Sequence, residues 1–233
     1  MDEEELTRRR LRLVDDLRGQ GVIRSGAVAA ALRAVPRHRF APRGGATDPY
    51  VDEPILLKRD AAGAPVSTIS QPQMVAVMLE ELEVRPGDRI LEVGTASGYN
   101  AALLAELTGP DGLVVTVEIE ADLAERARSA LSELGVANVE VVTGDGYEGA
   151  RTLAPFDRVI VTAGAGDLAP AWIDQLREGG RLVVPLGSSH SSMMCRTYQL
   201  RSGALELLRE IPCSFVPLRR AGVSGPATHP DHR

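Results

Sequence analysis

The chain has 233 residues and a net charge of −6, and 44% of its residues are hydrophobic but only 3% aromatic. This length favours one domain with a decorated end, and the acidic balance without a basic stripe argues against binding to nucleic acid. No apolar run is long enough to predict a transmembrane helix, and residues 1–5 lack the order of a signal peptide, so we expect a cytoplasmic protein.

The N-terminal part predicts two helices followed by irregular structure. Residues 3–18 carry an apolar stripe amid charged residues, which predicts the first helix. Ser25 is a plausible N-cap for a second helix that ends near Val35, before Pro36. Residues 36–66 are rich in proline, glycine and aspartate, and we expect them to be irregular. A loop of this length inside a compact domain is often functional.

Strands and helices alternate from residue 70 onward. Pro72 can open a helix, and short apolar runs separated by amphipathic stretches follow it. The predicted strands are residues 89–93, 113–117, 139–142, 156–161 and 181–185, and the predicted helices are residues 99–108 and 121–134. This alternation favours a parallel sheet with helices on both faces. After Gly187 it stops, and residues 193–200 and 206–211 predict an antiparallel hairpin that closes the sheet.

The strongest local signal is the loop that follows the first predicted strand of this sheet. Gly94 and Gly98 lie between a buried strand and a helix, and glycines there let the backbone approach a ligand closely. Ligands of such sheets bind at the carboxyl ends of the strands. Glu118, Asp145 and Thr162 follow three other strands at the same edge, and an acid at position 118 can accept hydrogen bonds from ribose hydroxyls. Together they predict a nucleotide-type cofactor site.

A nicotinamide cofactor is the competing interpretation of this loop. Its fingerprint requires three glycines, whereas the third, expected at about position 99, is Tyr99 here. The loop is better suited to S-adenosylmethionine, which has no pyrophosphate to place on a helix N-terminus. Alternatively, Glu118 is a solvated acid at a strand end. Neither the two cysteines nor the four histidines have the spacing of a zinc site, so no metal is expected.

Five segments resemble the protein-L-isoaspartate O-methyltransferase family. The segments are Thr-Ile-Ser-Gln-Pro at 68–72, Leu-Glu-Val-Gly-Thr-Ala-Ser-Gly-Tyr at 91–99, Gly-Asp-Gly-Tyr at 144–147, Pro-Phe-Asp-Arg-Val-Ile-Val-Thr-Ala at 155–163 and Phe-Val-Pro-Leu at 215–218. The resemblance implies a Rossmann-like class I methyltransferase fold of the α/β class, with a mostly parallel doubly wound sheet that ends in an antiparallel hairpin. It divides the chain into a helical N-terminal extension with a substrate-side loop (1–69), a methyltransferase domain (70–220) and a disordered tail (221–233).

The resemblance also implies a reaction. S-adenosylmethionine would methylate the carboxylate of an L-isoaspartyl residue in a damaged protein or peptide, and the ester would close to a succinimide, which leads to repair. Ser70 would contact the accepting carboxylate as the catalytic residue, with Thr68, Ile69, Phe215 and Val216 on the substrate side. The implied cofactor-binding residues are Glu92, Gly94, Thr95, Ala96, Ser97, Gly98, Glu118, Ile119, Asp145, Gly146 and Thr162.

The chain departs from the family pattern in ways that leave its substrate open. Ala96 replaces a glycine, Ser214 replaces an arginine, the segment 54–67 is longer and more charged, and a tail of about 15 residues follows residue 218. In that segment, Lys58 and Arg59 either attract an acidic substrate or are solvated charges. Ser70 has an alternative role as an N-cap of the following helix.

Two alternative functions remain beside repair. A tailoring methyltransferase would esterify a normal Asp of a ribosomally made peptide to form an aspartimide. A catalytically silent module would use the same fold to bind peptides. In each case the expected partner is a protein or peptide, with no nucleic acid or membrane, and a monomer is favoured. A carboxylate is already ionised at pH 7, so none of the methyl transfers needs a strong general base.

Overall fold

The structure, a computed structural model, describes residues 2–42, 44, 47–187 and 192–222. Most of the predicted disordered tail therefore lies outside the described residues. The described residues form one seven-stranded sheet with helices, a separate two-stranded hairpin and a helical N-terminal extension. This architecture confirms the predicted α/β class.

Two helices form the N-terminal extension, as the sequence predicts. Helix α1 (Glu3–Gly19) begins after Asp2, whose side chain accepts a hydrogen bond from a backbone amide of the first turn at 2.8 Å. Helix α2 (Gly26–Ala34) begins after Ser25, whose hydroxyl accepts from a first-turn amide at 3.1 Å. It ends because Val35 takes extended backbone before a proline.

Residues 55–69 form a β-hairpin, so the prediction that residues 36–66 are irregular is wrong in part. Strand β1 (Ile55–Arg59) pairs antiparallel with strand β2 (Pro65–Ile69). In the turn between them, the Asp60 carboxylate accepts hydrogen bonds from two backbone amides, both at 2.9 Å. Several of the proline, glycine and aspartate residues that suggested a loop lie in and around this turn, while the strands bury aliphatic side chains on one face.

The alternating part of the chain forms the central sheet. Its elements are α3 (Pro72–Leu82), β3 (Arg89–Val93), α4 (Tyr99–Thr108), β4 (Leu113–Glu118), α5 (Ala121–Glu133), β5 (Val139–Thr143), β6 (Phe156–Val161), α6 (Pro170–Asp174), β7 (Leu176–Leu186), β8 (Met194–Arg201) and β9 (Ala204–Pro212). The strand order is β5-β4-β3-β6-β7-β8-β9. The pairs from β5 to β7 are parallel, and the β7–β8 and β8–β9 pairs are antiparallel. The expected closing hairpin is confirmed.

Two details of this sheet differ from the prediction. Strand β7 begins at Leu176 rather than at residue 181, because Gly179 and Gly180 interrupt the apolar pattern without ending the strand. The sequence analysis also missed α6, a single short helix whose first residue is Pro170.

Alternate residues of the central strands face two apolar layers. Ile90 and Ile160 pack in the layer that contains α1 to α4, whereas Leu91 and Val159 pack in the opposite layer around Trp172. Because β3, β4 and β6 are parallel neighbours, their carboxyl ends meet at one rim of the sheet. Within the described ranges, every helix is too short or too polar to cross a membrane.

Candidate active site

Two adjoining cavities open at the rim where β3, β4 and β6 end. The Ser70 cavity has an empty volume of about 430 Å³ and extends beneath the hairpin and α3. The Glu118 cavity has an empty volume of about 420 Å³ and extends towards the segment after β9. The predicted site residues at the Ser70 cavity are Thr68, Ile69, Ser70, Gly94, Thr95, Ala96, Ser97 and Thr162. Those at the Glu118 cavity are Thr68, Gly94, Ala96, Glu118, Ile119, Thr162 and Val216.

The loop after β3 separates these cavities and is held tightly. Gly94 has φ +101, and a Cβ atom there would lie 2.7 Å from Thr162 Oγ1. The same Thr162 hydroxyl donates to the Gly94 carbonyl oxygen at 2.7 Å. The Gly94 amide donates to the Val117 carbonyl oxygen at 2.9 Å. Only glycine fits this close approach without a shift of the neighbouring strand end.

Ala96 occupies the position where the family has a glycine, and it keeps a glycine-like backbone. Its φ is +49, in the left-handed region that alanine adopts at a cost of about 1–2 kcal/mol. Its amide donates to Glu118 Oε2 at 2.8 Å. The loop therefore retains its path, and the methyl group lines both cavities.

Glu118 is a buried acid at the end of β4. It is 7% exposed, so the alternative of a solvated acid is wrong. Its Oε1 atom accepts from the Glu120 amide at 3.0 Å, and Oε2 accepts from the Ala96 amide. Burial raises the pKa of the carboxyl above its ordinary value, against these two hydrogen bonds. A carboxylate can accept more than two hydrogen bonds, and Glu118 lines the cavity, so it can also accept from a ligand there.

Glu92 lies beneath the loop rather than beside a cavity. Its fully buried carboxylate accepts from Asn100 Nδ2 at 2.8 Å and from Thr116 Oγ1 at 2.5 Å. The Thr116 hydroxyl is 2.7 Å from Thr95 Oγ1. Burial raises the pKa of Glu92 to about 7, and both hydrogen bonds oppose this shift. Glu92 thus supports the loop from below, and its implied contact with a cofactor stays a prediction.

Asp145 and Gly146 lie after β5 and line neither cavity. The two Asp145 carboxylate oxygens accept from the Tyr147 and Ala221 amides, each at 2.9 Å. A Cβ atom at Gly146 would lie 2.4 Å from a methyl group of Val93, which explains a glycine here. Their expected role towards the cofactor stays a prediction. The same holds for Gly98, which has φ +85 and precedes α4.

Ser70 lies between β2 and α3, and its hydroxyl forms no hydrogen bond to another described residue. The N-cap position of α3 belongs to Gln71, and no side chain caps that helix, so the N-cap alternative for Ser70 is wrong. Among the described residues, Ser70 Oγ has no hydrogen-bond partner, whereas the Ser70 carbonyl oxygen accepts from Arg37 Nη1 at 2.8 Å. The hydroxyl is therefore free to bind a ligand in the Ser70 cavity.

Lys58 is a partly exposed cation with two acidic partners. Its ammonium pairs with Glu120 and, at 2.6 Å, with Asp122, which lie just after β4. Glu120 also accepts from Arg219 at 2.6 Å. The pKa of Lys58 is raised by hydrogen bonds to these two acids. One carboxylate thus ties both the hairpin and the C-terminal segment to the rim, whereas Arg59 donates only to Gly63 within the hairpin turn.

The two substrate-side residues predicted near the C-terminus, Phe215 and Val216, lie in different environments. Val216 lines the Glu118 cavity, and its carbonyl oxygen accepts from the Gly164 amide at 2.8 Å. Phe215 is buried in the core layer and lines neither cavity. A group of three or more possible metal ligands is absent from the described part of the chain, and His190, His229 and His232 lie outside it.

The family model for protein-L-isoaspartate(D-aspartate) O-methyltransferase (PCMT) matches residues 8–222. The chain belongs to this family. It is 43% identical over 218 residues to the protein-L-isoaspartate O-methyltransferase of Methanopyrus kandleri, with 93% of this chain and 94% of that protein covered. It is 45% identical over 219 residues to protein-L-isoaspartate O-methyltransferase 2 of Archaeoglobus fulgidus, with 94% and 95% covered.

Solved structures agree with this assignment to the family. A solved structure of a protein-L-isoaspartate O-methyltransferase has a TM-score of 0.79 and is 32% identical in sequence. The match covers 89% of this chain and 65% of the chain in that structure. A beta-aspartate methyltransferase structure from Plasmodium falciparum, in complex with S-adenosyl-L-homocysteine, has a TM-score of 0.76. It is 23% identical and covers 91% of this chain and 98% of that one, so it supports the fold.

The sequence analysis did not predict some of the residues that line the two cavities. Tyr99 and Asn100 line the Ser70 cavity, and Ser67 and Arg219 line the Glu118 cavity. Tyr99 and Asn100 directly follow the loop after β3, and this position next to the predicted cofactor site was a usable signal. Arg37 carried no such signal, because its partners are backbone carbonyl oxygens far away in the sequence.

Proposed function

We propose that the protein is an S-adenosylmethionine-dependent carboxyl O-methyltransferase that acts on L-isoaspartyl residues of damaged proteins or peptides. The observation that carries the proposal is the pair of cavities that share Gly94, Ala96, Thr68 and Thr162. A methyl transfer requires two ligands that meet end to end, and two adjoining cavities suit this need. The expected cytoplasmic location belongs to the same proposal.

The residues at the Glu118 cavity fit the adenosyl part of the cofactor. The Glu118 carboxylate offers acceptors for ribose hydroxyls, and the backbone at Gly94 comes as close as a residue without Cβ allows. Relatives of this family are named as methyltransferases, and one solved relative holds S-adenosyl-L-homocysteine. When bound, the cofactor supplies an electrophilic sulfonium methyl group.

The residues at the Ser70 cavity fit a carboxylate acceptor. One carboxylate oxygen forms a bond to the methyl carbon while the carbon–sulfur bond breaks and its electron pair stays on sulfur. The products are a neutral ester and a neutral thioether, and no proton is transferred. Ser70 Oγ can donate a hydrogen bond to the other carboxylate oxygen and fix its direction. Because the nucleophile is already ionised, the protein acts by positioning, which can contribute about 7–11 kcal/mol.

The choice of acceptor is the finer part of this proposal. The relatives in the comparison are named for isoaspartate, and this supports repair. No specific observation favours the aspartimide-forming or the silent alternative. The isoaspartyl ester would close to a succinimide without further protein chemistry, and hydrolysis of the succinimide at one of its two carbonyls would return a normal Asp, so methyl transfer is the only step that the protein must supply.

Methyl transfer to matched peptides tests the proposal. One peptide carries isoaspartate and the other carries Asp at the same position, with radiolabelled S-adenosylmethionine as donor. We expect transfer to the isoaspartyl peptide at least tenfold above the Asp peptide. Ser70→Ala should lower kcat/KM about tenfold or more, since one hydrogen bond to a charged group contributes about 1.5–3 kcal/mol. Preference for the Asp peptide would favour tailoring, and no transfer to either would favour the silent module.

A further inference from the structure

Arg37 is a buried cation behind the Ser70 cavity. It opens the 3₁₀ turn Arg37–Arg39 that follows α2, and its side chain is 1% exposed. The guanidinium donates to the Ser70 carbonyl oxygen at 2.8 Å and to the Glu53 carbonyl oxygen at 3.0 Å. Its Nε–H group is buried and has no hydrogen-bond partner among the described residues.

No carboxylate in the described part of the chain pairs with this guanidinium. Among the described residues, no acidic side chain forms an ion pair with Arg37 within 4 Å. Asp52 is the acid whose charge favours the Arg37 cation, but its carboxylate accepts from Gln71 Nε2 at 2.9 Å and from the Gln73 amide at 2.7 Å. The Tyr99 ring lies 5.6 Å from the guanidinium, and burial raises the pKa of its phenol, which stays neutral.

A buried charge with incomplete pairing is unfavourable for folding. Burial lowers the pKa of Arg37, yet a guanidinium keeps its proton in proteins. A neutral donor could satisfy the same two carbonyl oxygens without the desolvation of a charge. Two of the residues that contact Arg37, Ser70 and Tyr99, line the cavity assigned to the acceptor, whereas its third partner, Glu53, does not. The positive charge of Arg37 therefore lies directly behind two residues of the cavity assigned to the acceptor carboxylate.

We propose that Arg37 is a positioning and specificity residue: its charge selects an anionic carboxylate over a neutral group in the Ser70 cavity, while its hydrogen bond fixes the Ser70 backbone. This inference rests on the proposed function. It also accounts for product release, because the methyl ester is neutral and loses the attraction that held the carboxylate. Arg37 thus favours the bound substrate and disfavours the bound product.

The test compares two peptides that differ only in charge at the acceptor. One carries isoaspartate, and the other carries the same residue with its α-carboxylate replaced by carboxamide. Their Kd values are measured by calorimetry with saturating S-adenosylhomocysteine. We expect wild type to prefer the carboxylate about tenfold, as a unit charge a few ångströms away at an effective dielectric constant of 20 allows. Arg37→Gln should lose this preference, and Arg37→Lys should retain part of it.

Steady-state kinetics give the second readout. Arg37→Gln should raise the KM for the isoaspartyl peptide about tenfold and change kcat by less than threefold, because the charge acts on the bound anion rather than on the transition state. A purely structural role would weaken both peptides equally and leave their affinity ratio unchanged. Unchanged affinity for S-adenosylhomocysteine serves as the control for folding.

Three results would overturn the role of Arg37. The first is equal affinity of wild type for the two peptides. The second is a carboxylate preference in Arg37→Gln as large as that of wild type, and the third is an equal loss of affinity for both peptides in that variant. If Arg37→Gln does not fold, Arg37→Lys decides: a carboxylate preference as large as that of wild type would overturn the role of Arg37, and a smaller one would support it. Absence of methyl transfer to any carboxylate peptide refutes the proposed function instead, whereas transfer without carboxylate preference refutes only this inference.

Discussion

Glu92 makes the stability of the protein depend on pH in a direction opposite to that of most carboxylates. Its pKa is raised from its ordinary value of 4.5 to about 7, with burial as the largest cause. The folded protein therefore binds this proton more tightly than the unfolded chain does. The stabilisation is fully present below pH 4.5 and is lost as the pH rises through about 7.

The size of this effect follows from the shift. The two pKa values differ by about 2.5, and each unit corresponds to 1.36 kcal/mol, which gives about 3 kcal/mol in total. Glu92→Gln removes the titration and can keep both hydrogen bonds, because the amide accepts from Asn100 and donates to Thr116. Between pH 5.5 and 8.5, the free energy of unfolding of Glu92→Gln should therefore rise by about 2 kcal/mol relative to wild type.

Urea denaturation at pH 5.5, 6.5, 7.5 and 8.5 measures this difference, with Glu125→Gln on the exposed face of α5 as the matched control. Parallel stability curves for wild type and Glu92→Gln would refute the reasoning. The same variant separates the two roles considered for Glu92. Its affinity for S-adenosylhomocysteine should change less than twofold, since the carboxylate lines neither cavity; a tenfold loss would restore the cofactor contact implied by the family.

Three further predictions concern the rim. S-adenosylhomocysteine should raise the Tm of wild type. Glu118→Ala should weaken the binding of S-adenosylhomocysteine by about 1–3 kcal/mol, and an unchanged Kd would show that Glu118 does not contact it. Ala96→Gly should change the free energy of unfolding by less than about 1 kcal/mol. Glycine removes the strain of the left-handed backbone, but it also gives the unfolded chain more conformational freedom, and these effects oppose each other. A decrease in the free energy of unfolding above about 2 kcal/mol would contradict this expectation. Lys58→Met should raise the KM for both S-adenosylmethionine and peptide, because it removes the ion pair that holds the hairpin to Glu120. Arg59→Met, which leaves that ion pair intact, is the control and should change neither KM. A rise in the KM for peptide alone would favour direct substrate binding by Lys58.

The central strands and their ends could be predicted because one physical rule governs both. Strands β3, β4 and β6 are buried on both faces along most of their length, and aliphatic residues predominate in them. Their carboxyl ends must then share one rim, which places Gly94, Glu118 and Thr162 together before any coordinates are known. The sequence could not show that Ala96 has a left-handed backbone, because the hydrogen bond from its amide to Glu118 joins residues 22 positions apart.

The hairpin and Arg37 could not be predicted for different reasons. Strands β1 and β2 are short and include Lys58, Arg59 and Pro65, so their composition resembles that of a loop. Arginine is almost never fully buried, and pattern reading places it at the surface. What buries Arg37 is a pair of backbone carbonyl oxygens 16 and 33 residues away, which leave no trace in the side-chain pattern.

The proposed function assigns the two buried charges, those of Glu118 and Arg37, to different reactants. In the proposed reaction, Glu118 would place a negative charge beside the cofactor and Arg37 a positive charge behind the acceptor, so each would attract the oppositely charged reactant. The reaction neutralises both reactants, and these attractions therefore weaken on the way to the transition state. Charges arranged in this manner favour binding and cannot accelerate the chemical step. Acceleration must come from the loop that separates the cavities, because its path fixes the direction in which the reactants meet. Substitutions of Glu118 or Arg37 should thus appear mainly in KM, and substitutions that displace Gly94 should appear in kcat.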